Sequence, residues 1–133
     1  MRLWNPIIMV MAALFAAASP APAGGDEKPF RNDVITQVEI GEVPAGRYAL
    51  RATITTVQPH AKIPYHLHEH NGLRYMLEGA LSISWKNGEF QTYSAGSTYF
   101  EGPGANHPEK GMAAANPLDT VTKVLIIELV ALD

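Results

Sequence analysis

The region 34–133 is expected to be all-β, a single antiparallel β-barrel, and three observations predict it. No segment beyond residue 23 sustains the 3.6-residue apolar period of an amphipathic helix. Short runs instead alternate apolar and polar residues, as half-buried strands do. Between these runs stand Pro-Ala-Gly, Asn-Gly and Ser-Ala-Gly, residues suited to tight turns. With no internal repeat, the chain forms one barrel rather than a tandem pair.

In chain order, 34–40 (Val-Ile-Thr-Gln-Val-Glu-Ile) alternates and reads as the first strand. Pro44-Ala45-Gly46 turns the chain. Residues 48–57 are rich in β-branched side chains, with Leu50, Ala52, Ile54 and Thr56 on one face and Arg51, Thr53 and Thr55 on the other. Pro59 and Pro64 bracket a connection that starts at His60 and leads to a histidine-rich stretch. An apolar strand follows, closed by Glu78-Gly79, and then 81–85 alternates. Asn87-Gly88 predicts a hairpin because both residues tolerate positive φ. Residues 90–93 return, Ser94-Ala95-Gly96 turns, and 97–100 form a short strand. Ala113-Ala114-Ala115-Asn116-Pro117 reads as a loop. The apolar run 121–131 is the longest strand and is expected to be central.

The first 23 residues have the parts of a cleavable secretory signal. Arg2 supplies a positive charge, 7–18 are apolar, and Ala21-Pro22-Ala23 fits a small-x-small cleavage site. The apolar run is shorter than the roughly 20 residues a membrane-spanning helix needs, so no stable membrane anchor is expected. The predicted organisation is a signal peptide at 1–23, a flexible lead-in at 24–33 and the barrel at 34–133, exported to the periplasm or secreted. Removal of Arg2 leaves nine basic and thirteen acidic residues, a net charge of −4. Such mild acidity argues against nucleic acid as a partner. With no cysteine, thiolate catalysis, zinc–thiolate sites and disulfides are excluded.

The chemistry is concentrated at Pro64-Tyr65-His66-Leu67-His68-Glu69-His70-Asn71-Gly72. On an extended segment His66 and His68 point to the same side and can bind one metal ion, given a third ligand. His107, in the turn Gly102-Pro103-Gly104-Ala105-Asn106-His107-Pro108, is the candidate. Neutral imidazoles suit Fe, Mn, Ni, Cu or Zn, and three protein ligands leave positions open for a small-molecule substrate. The alternative is that these histidines only hydrogen-bond among themselves at the barrel mouth.

These motifs resemble the cupin superfamily, whose small members are jelly-roll barrels. The first cupin motif runs Gly, five residues, His-x-His, three or four residues, Glu, six residues, Gly. His66, His68 and Gly79 match it, whereas His60 stands at the opening Gly and Gly72 at the metal-binding Glu. The second runs Gly, five residues, Pro-x-Gly, two residues, His, three residues, Asn. Gly96, Gly104 and His107 match; Gly102 stands at the Pro, with Pro103 one place later, and Gly111 at the Asn. The resemblance spans about 34–129 and implies a divalent metal held by His66, His68 and His107. Glu69, His70 or Glu101 are alternatives for a fourth ligand, Glu101 requiring a bulge because Phe100 is expected to face inward.

If Gly72 occupies the inward Glu position, Arg74 and Met76 also face inward, with Leu73, Tyr75 and Leu77 outward. Arg74 must then meet a carboxylate, either of the barrel or of an anionic substrate that it orients. Without a carboxylate at 72, three neutral ligands leave the site near +2, which favours an anionic, chelating substrate. Cupins with three histidines include oxygenases acting on thiols and diketones, so the resemblance implies a metal-dependent dioxygenase. A non-catalytic module binding a sugar, an acidic metabolite or metal is the other class. Small cupins commonly dimerise, and 34–40 or 121–131 are the expected contacts of a homodimer.

Overall fold

The computed structural model describes residues 31–132. The chain divides after Asp33, and the strands all belong to the unit Val34–Asp133. The signal segment 1–23 and most of the lead-in 24–33 lie outside the described residues.

Eight strands form two four-stranded antiparallel sheets. The first contains β1 (Arg47–Val57), β8 (Thr122–Leu132), β3 (Asn71–Glu78) and β6 (Thr98–Glu101), in the order β1-β8-β3-β6. The second contains β2 (Lys62–Pro64), β7 (Met112–Ala115), β4 (Ala80–Ser84) and β5 (Phe90–Ser94), in the order β2-β7-β4-β5. Apart from the β4–β5 hairpin, which stays in one sheet, successive strands alternate between the sheets, as in a jelly roll. The sheets face one another without closing into the continuous barrel that the sequence suggested. Among the described residues there is no helix, and therefore none long and apolar enough to cross a membrane.

Val57, Met76, Leu81, Ile83, Tyr99, Ala114 and Val124 form the buried core between the sheets. Full burial of an aliphatic side chain stabilises by about 1.5–3 kcal/mol, so this cluster is a large share of what holds the sheets together. Gly79, at φ 75°, makes the sharp passage from β3 to β4. An added Cβ there would meet the Thr122 hydroxyl and lie 3.0 Å from the Val121 carbonyl.

Three expectations about the strands need correction. Residues 34–40 form no strand, because their alternation finds no hydrogen-bonding partner; Val34 and Ile35 lie exposed. The stretch Ala113–Ala115 belongs to β7 rather than to a loop: it pairs with β2 and β4, and Ala113 and Ala114 are buried. The hairpin expected at Asn87-Gly88 does form between β4 and β5, with positive φ at Gly88 alone. Gly88 N–H donates to Trp85 O at 2.9 Å, and Asn87 Oδ1 accepts from Glu89 N–H at 3.0 Å. Finally, β6 pairs with β3 in unbroken register, Gly72 opposite Glu101 and Leu73 opposite Phe100. Glu101 therefore faces inward without a bulge and Phe100 outward. The run 121–131 does become an inner strand, as β8 between β1 and β3.

Candidate metal centre

His66 and His68 lie just beyond β2, on extended chain leading into β3. Leu67, between them, turns out to solvent, so both imidazoles share the inner side. A two-residue bridge fastens this segment to the glycine turn: His68 N–H donates to Gly104 O at 3.0 Å, and Gly104 N–H returns to His68 O at 2.7 Å. The bridge brings His107, thirty-nine positions along the chain from His68, to the same place. Ligating nitrogens of His66, His68 and His107 all lie within 4.8 Å of one another.

Each ring is aimed by a partner on its far side. His66 Nδ1 donates to Pro64 O at 2.9 Å and His107 Nδ1 to Ser84 O at 3.0 Å, so in the neutral rings both Nε2 atoms keep a lone pair. The indole of Trp85 stacks on the His107 ring, centroids 5.9 Å apart. His68 differs. Its Nδ1 lies 3.2 Å from Arg74 Nη2, and since a guanidinium only donates, the ring hydrogen sits on Nε2. Burial, then the charge of Arg74 and the neighbouring imidazoles, push His68 down to about 4 and keep it neutral near pH 7. To hold a metal through Nε2, a neutral His68 would carry its hydrogen on Nδ1, and Arg74 Nη2 would then give up that contact, with Glu128 Oε1 3.9 Å away as its other acceptor.

Arg74 is inward and 2% exposed. Its Nε reaches Glu101 Oε2 at 2.9 Å, and Nη1 donates to the carbonyls of Gly72 and Glu101 at 2.6 and 3.2 Å. Of the two expected partners it has found a barrel carboxylate. Glu101 in turn lies 3.0 Å from His107 Nε2 and 3.4 Å from His68 Nε2. Burial raises the Glu101 carboxyl above its ordinary range, against the pull of Arg74 and His107. Glu69 is exposed and His70 pairs loosely with it at 3.9 Å; neither belongs to the converging group. Outside the sequence-based candidates, Glu128 faces Arg51 across β1 and β8, with Arg51 Nη2 to Glu128 Oε2 at 2.8 Å. Opposite signs on facing positions of β1 and β8 were the available signal, hidden until the register was known.

Below the histidines lies a cavity of about 210 Å³, its floor formed by Val57, Ile63, Leu81, Ile83, Val124 and Ile126. Two ligand atoms about 2.1 Å from one ion stand about 3.0 Å apart at a right angle and about 3.4 Å at the tetrahedral angle. The His68–His107 Nε2 separation of 3.3 Å lies in that range. The donor set therefore fits a divalent ion, with imidazole suited to Fe, Mn, Ni, Cu or Zn.

The "Cupin domain" family model matches residues 53–117, which contain both histidine motifs and the glycine turn. The chain belongs to the cupin superfamily. Among solved structures, this cupin is similar to an RmlC-like cupin from Shewanella frigidimarina, at 22% identity and a TM-score of 0.50 over 62% of this chain and 67% of that one. It is also similar to a cupin domain protein from Bordetella pertussis, at 19% identity and a TM-score of 0.50 over 66% and 88% of the two chains. At these identities the likeness concerns the fold. No curated protein matches the sequence significantly.

Proposed function

We propose that this cupin is an exported, metal-dependent enzyme, a dioxygenase in its reaction class, acting on a small anionic molecule that chelates the metal. The observation that carries the reading is the convergence of His66, His68 and His107 at the mouth of an apolar cavity. When bound, a redox-active divalent ion such as Fe(II) supplies oxygen and substrate activation that no side chain here can provide. The chain's own part is to bind and to orient. Pro64 and Ser84 carbonyls fix the rings of His66 and His107, and the aliphatic floor excludes water from the substrate's apolar end. Every donor group of Arg74 already meets a protein acceptor, so its contribution to anionic substrate is through charge and through Glu101. Export is supported by the apolar run 7–18 followed by Ala21-Pro22-Ala23. Assembly as a homodimer is supported by exposed apolar side chains on the outer face of β1.

The test is elemental analysis of tag-free protein followed by oxygen uptake with small thiols, diketones and phenolic acids. Stoichiometric iron and substrate-dependent uptake, both lost in His107→Ala, are expected. Metal binding without uptake for any substrate would favour the second reading, a non-catalytic module for an acidic metabolite, a sugar or metal. That reading has in its favour that Gly72 brings no carboxylate to the usual position.

A further inference from the structure

We propose that Glu101 is a fourth metal ligand, supplied from β6 in place of the carboxylate that position 72 lacks. The proposal rests on the three-histidine metal centre and is separable from it by experiment. Gly72 and Glu101 are direct partners in the β3–β6 register, and both face inward. Opposed residues in such a pair have Cβ positions about 4.5–5.5 Å apart, so a carboxylate on either strand reaches the same part of the interior.

The space at Gly72 is filled by Arg74. A Cβ added at Gly72 would collide with Arg74 Nη1, lie 2.9 Å from Arg74 Cζ and 3.1 Å from Glu128 Cγ. A carboxylate side chain at 72 and a guanidinium in its observed place exclude each other. The missing carboxylate at 72 and the buried arginine at 74 are thus one exchange: the carboxylate moves one strand sideways and an arginine takes the vacated volume.

Glu101 is held where a ligand must stand. It is 5% exposed, with Oε1 3.0 Å from His107 Nε2, a separation that two atoms bound to one ion would have, and with Oε2, the oxygen nearer Arg74, 3.4 Å from His68 Nε2. His107 gives its Nδ1 hydrogen to Ser84 O, so in the neutral ring the Nε2 lone pair lies beside a carboxylate oxygen. Two acceptors at that distance require a cation between them, a proton or a metal ion. Arg74 Nε holds the other oxygen at 2.9 Å, leaving Oε1 as the ligating atom and Arg74 as its positioning residue.

The exchange also fixes the charge. Arg51, Glu128, Arg74 and Glu101 follow one another as alternating charges that cancel. In a site with the carboxylate at position 72 and no arginine, the ligand set would lower a divalent ion to +1. Here Arg74 cancels Glu101, and the loaded site keeps +2, so it recruits a dianionic chelator or an anion with a neutral donor.

The test is a Co(II) titration of the metal-stripped protein, read by the visible d–d spectrum and by competition with a chromophoric chelator. Wild type should bind one ion, and His107→Ala should lose binding. Glu101→Gln should bind about 100-fold more weakly, with an altered spectrum, and the triple substitution Gly72→Glu, Arg74→Ala, Glu101→Gln should recover most of the loss. Should Glu101→Gln fail to fold by circular dichroism, Glu101→Asp, which keeps the charge beside Arg74 but withdraws the oxygen by one methylene, is read in its place. Wild-type affinity and spectrum in the Glu101 variant, with His107→Ala inactive in binding, would overturn Glu101 and leave the three-histidine site standing. Failure of wild type to bind Co(II) would overturn both.

Discussion

A methyl group at position 72 would have to displace Arg74 Nη1, the end of a side chain that is 2% exposed and already paired. Its contacts with Gly72 O, Glu101 O, the Glu101 carboxylate and His68 Nδ1 would be broken together. Overpacking of this kind costs about 1–3 kcal/mol, so Gly72→Ala should lower the Tm of a domain this size by about 5–15 °C, measured by calorimetry. An unchanged Tm would mean that Arg74 moves freely and is not seated in a socket. Glu128 gives a pH-dependent counterpart. Burial pushes its carboxyl up, but the hydrogen bond from Arg51 and the charges of Arg51 and Arg74 outweigh that and hold it below its ordinary 4.5. The folded state then binds fewer protons than the unfolded one, so the stabilisation is present above about pH 4.5 and is lost as pH falls through the lowered value. Glu128→Gln should therefore be less stable than wild type at pH 7, by about 0.2–1 kcal/mol because Arg51 is half exposed, and the gap should narrow progressively as pH falls below 4.5. Denaturant midpoints at pH 7 and pH 3.5 decide it.

At the scale of elements, the join between β3, β4 and β8 is made by one hydroxyl. Thr122 Oγ1 accepts from Ala80 N–H at 3.1 Å and donates to Ala80 O at 2.8 Å, all of it buried beside Gly79. Thr122→Val leaves both backbone groups without a partner and should cost about 1–3 kcal/mol, whereas Thr122→Ser, which keeps the hydroxyl, should recover most of it in chemical denaturation. The strands themselves show what local sequence can and cannot reveal. The histidine pair, the glycine turn and the long run of β8 were legible because spacing and turn chemistry are local. Side-chain parity was legible too, but not which face is inside. In β1 the polar side is the inner one: Thr55 lines the cavity, Thr53 and Arg51 follow it toward the open end with Glu128 opposite Arg51, while Leu50 and Ile54 face out. In β6 the same inversion sends Phe100 out and Glu101 in. Both inversions occur in a sheet that is apolar on its outer side as well as its inner side, where hydrophobicity no longer identifies the core. Residues 34–40 failed for a different reason, since alternation describes one buried face but a strand also needs a partner for its backbone.

That outer side decides the behaviour of the whole molecule. Leu50 is 76% exposed and Ile54 60% exposed, and across the register they stand opposite Leu129 and Leu125 of β8. Leu73 and Phe100 extend the same outer face across β3 and β6, where Val38 and Ile40 of the chain's own N-terminal segment line its edge and leave Leu50 and Ile54 the most open part. Scattered apolar residues on a surface mean little, but a contiguous patch over four paired strands is the kind that a second copy covers. The expected result is a dimer in solution, built by the outer faces of the β1-β8-β3-β6 sheets of two copies. Burial of each such side chain contributes about 1.5–3 kcal/mol, so Leu50→Glu with Ile54→Glu should weaken the dimer by at least about 3 kcal/mol, on the order of 100-fold in Kd. Light scattering coupled to size exclusion over a dilution series reads this directly. Because both substitutions face away from the histidines, Co(II) affinity of the double variant should stay at the wild-type value. A wild type that remains monomeric at high micromolar concentration would show that this face serves another partner or none, and the metal centre would then be the work of a single chain acting alone.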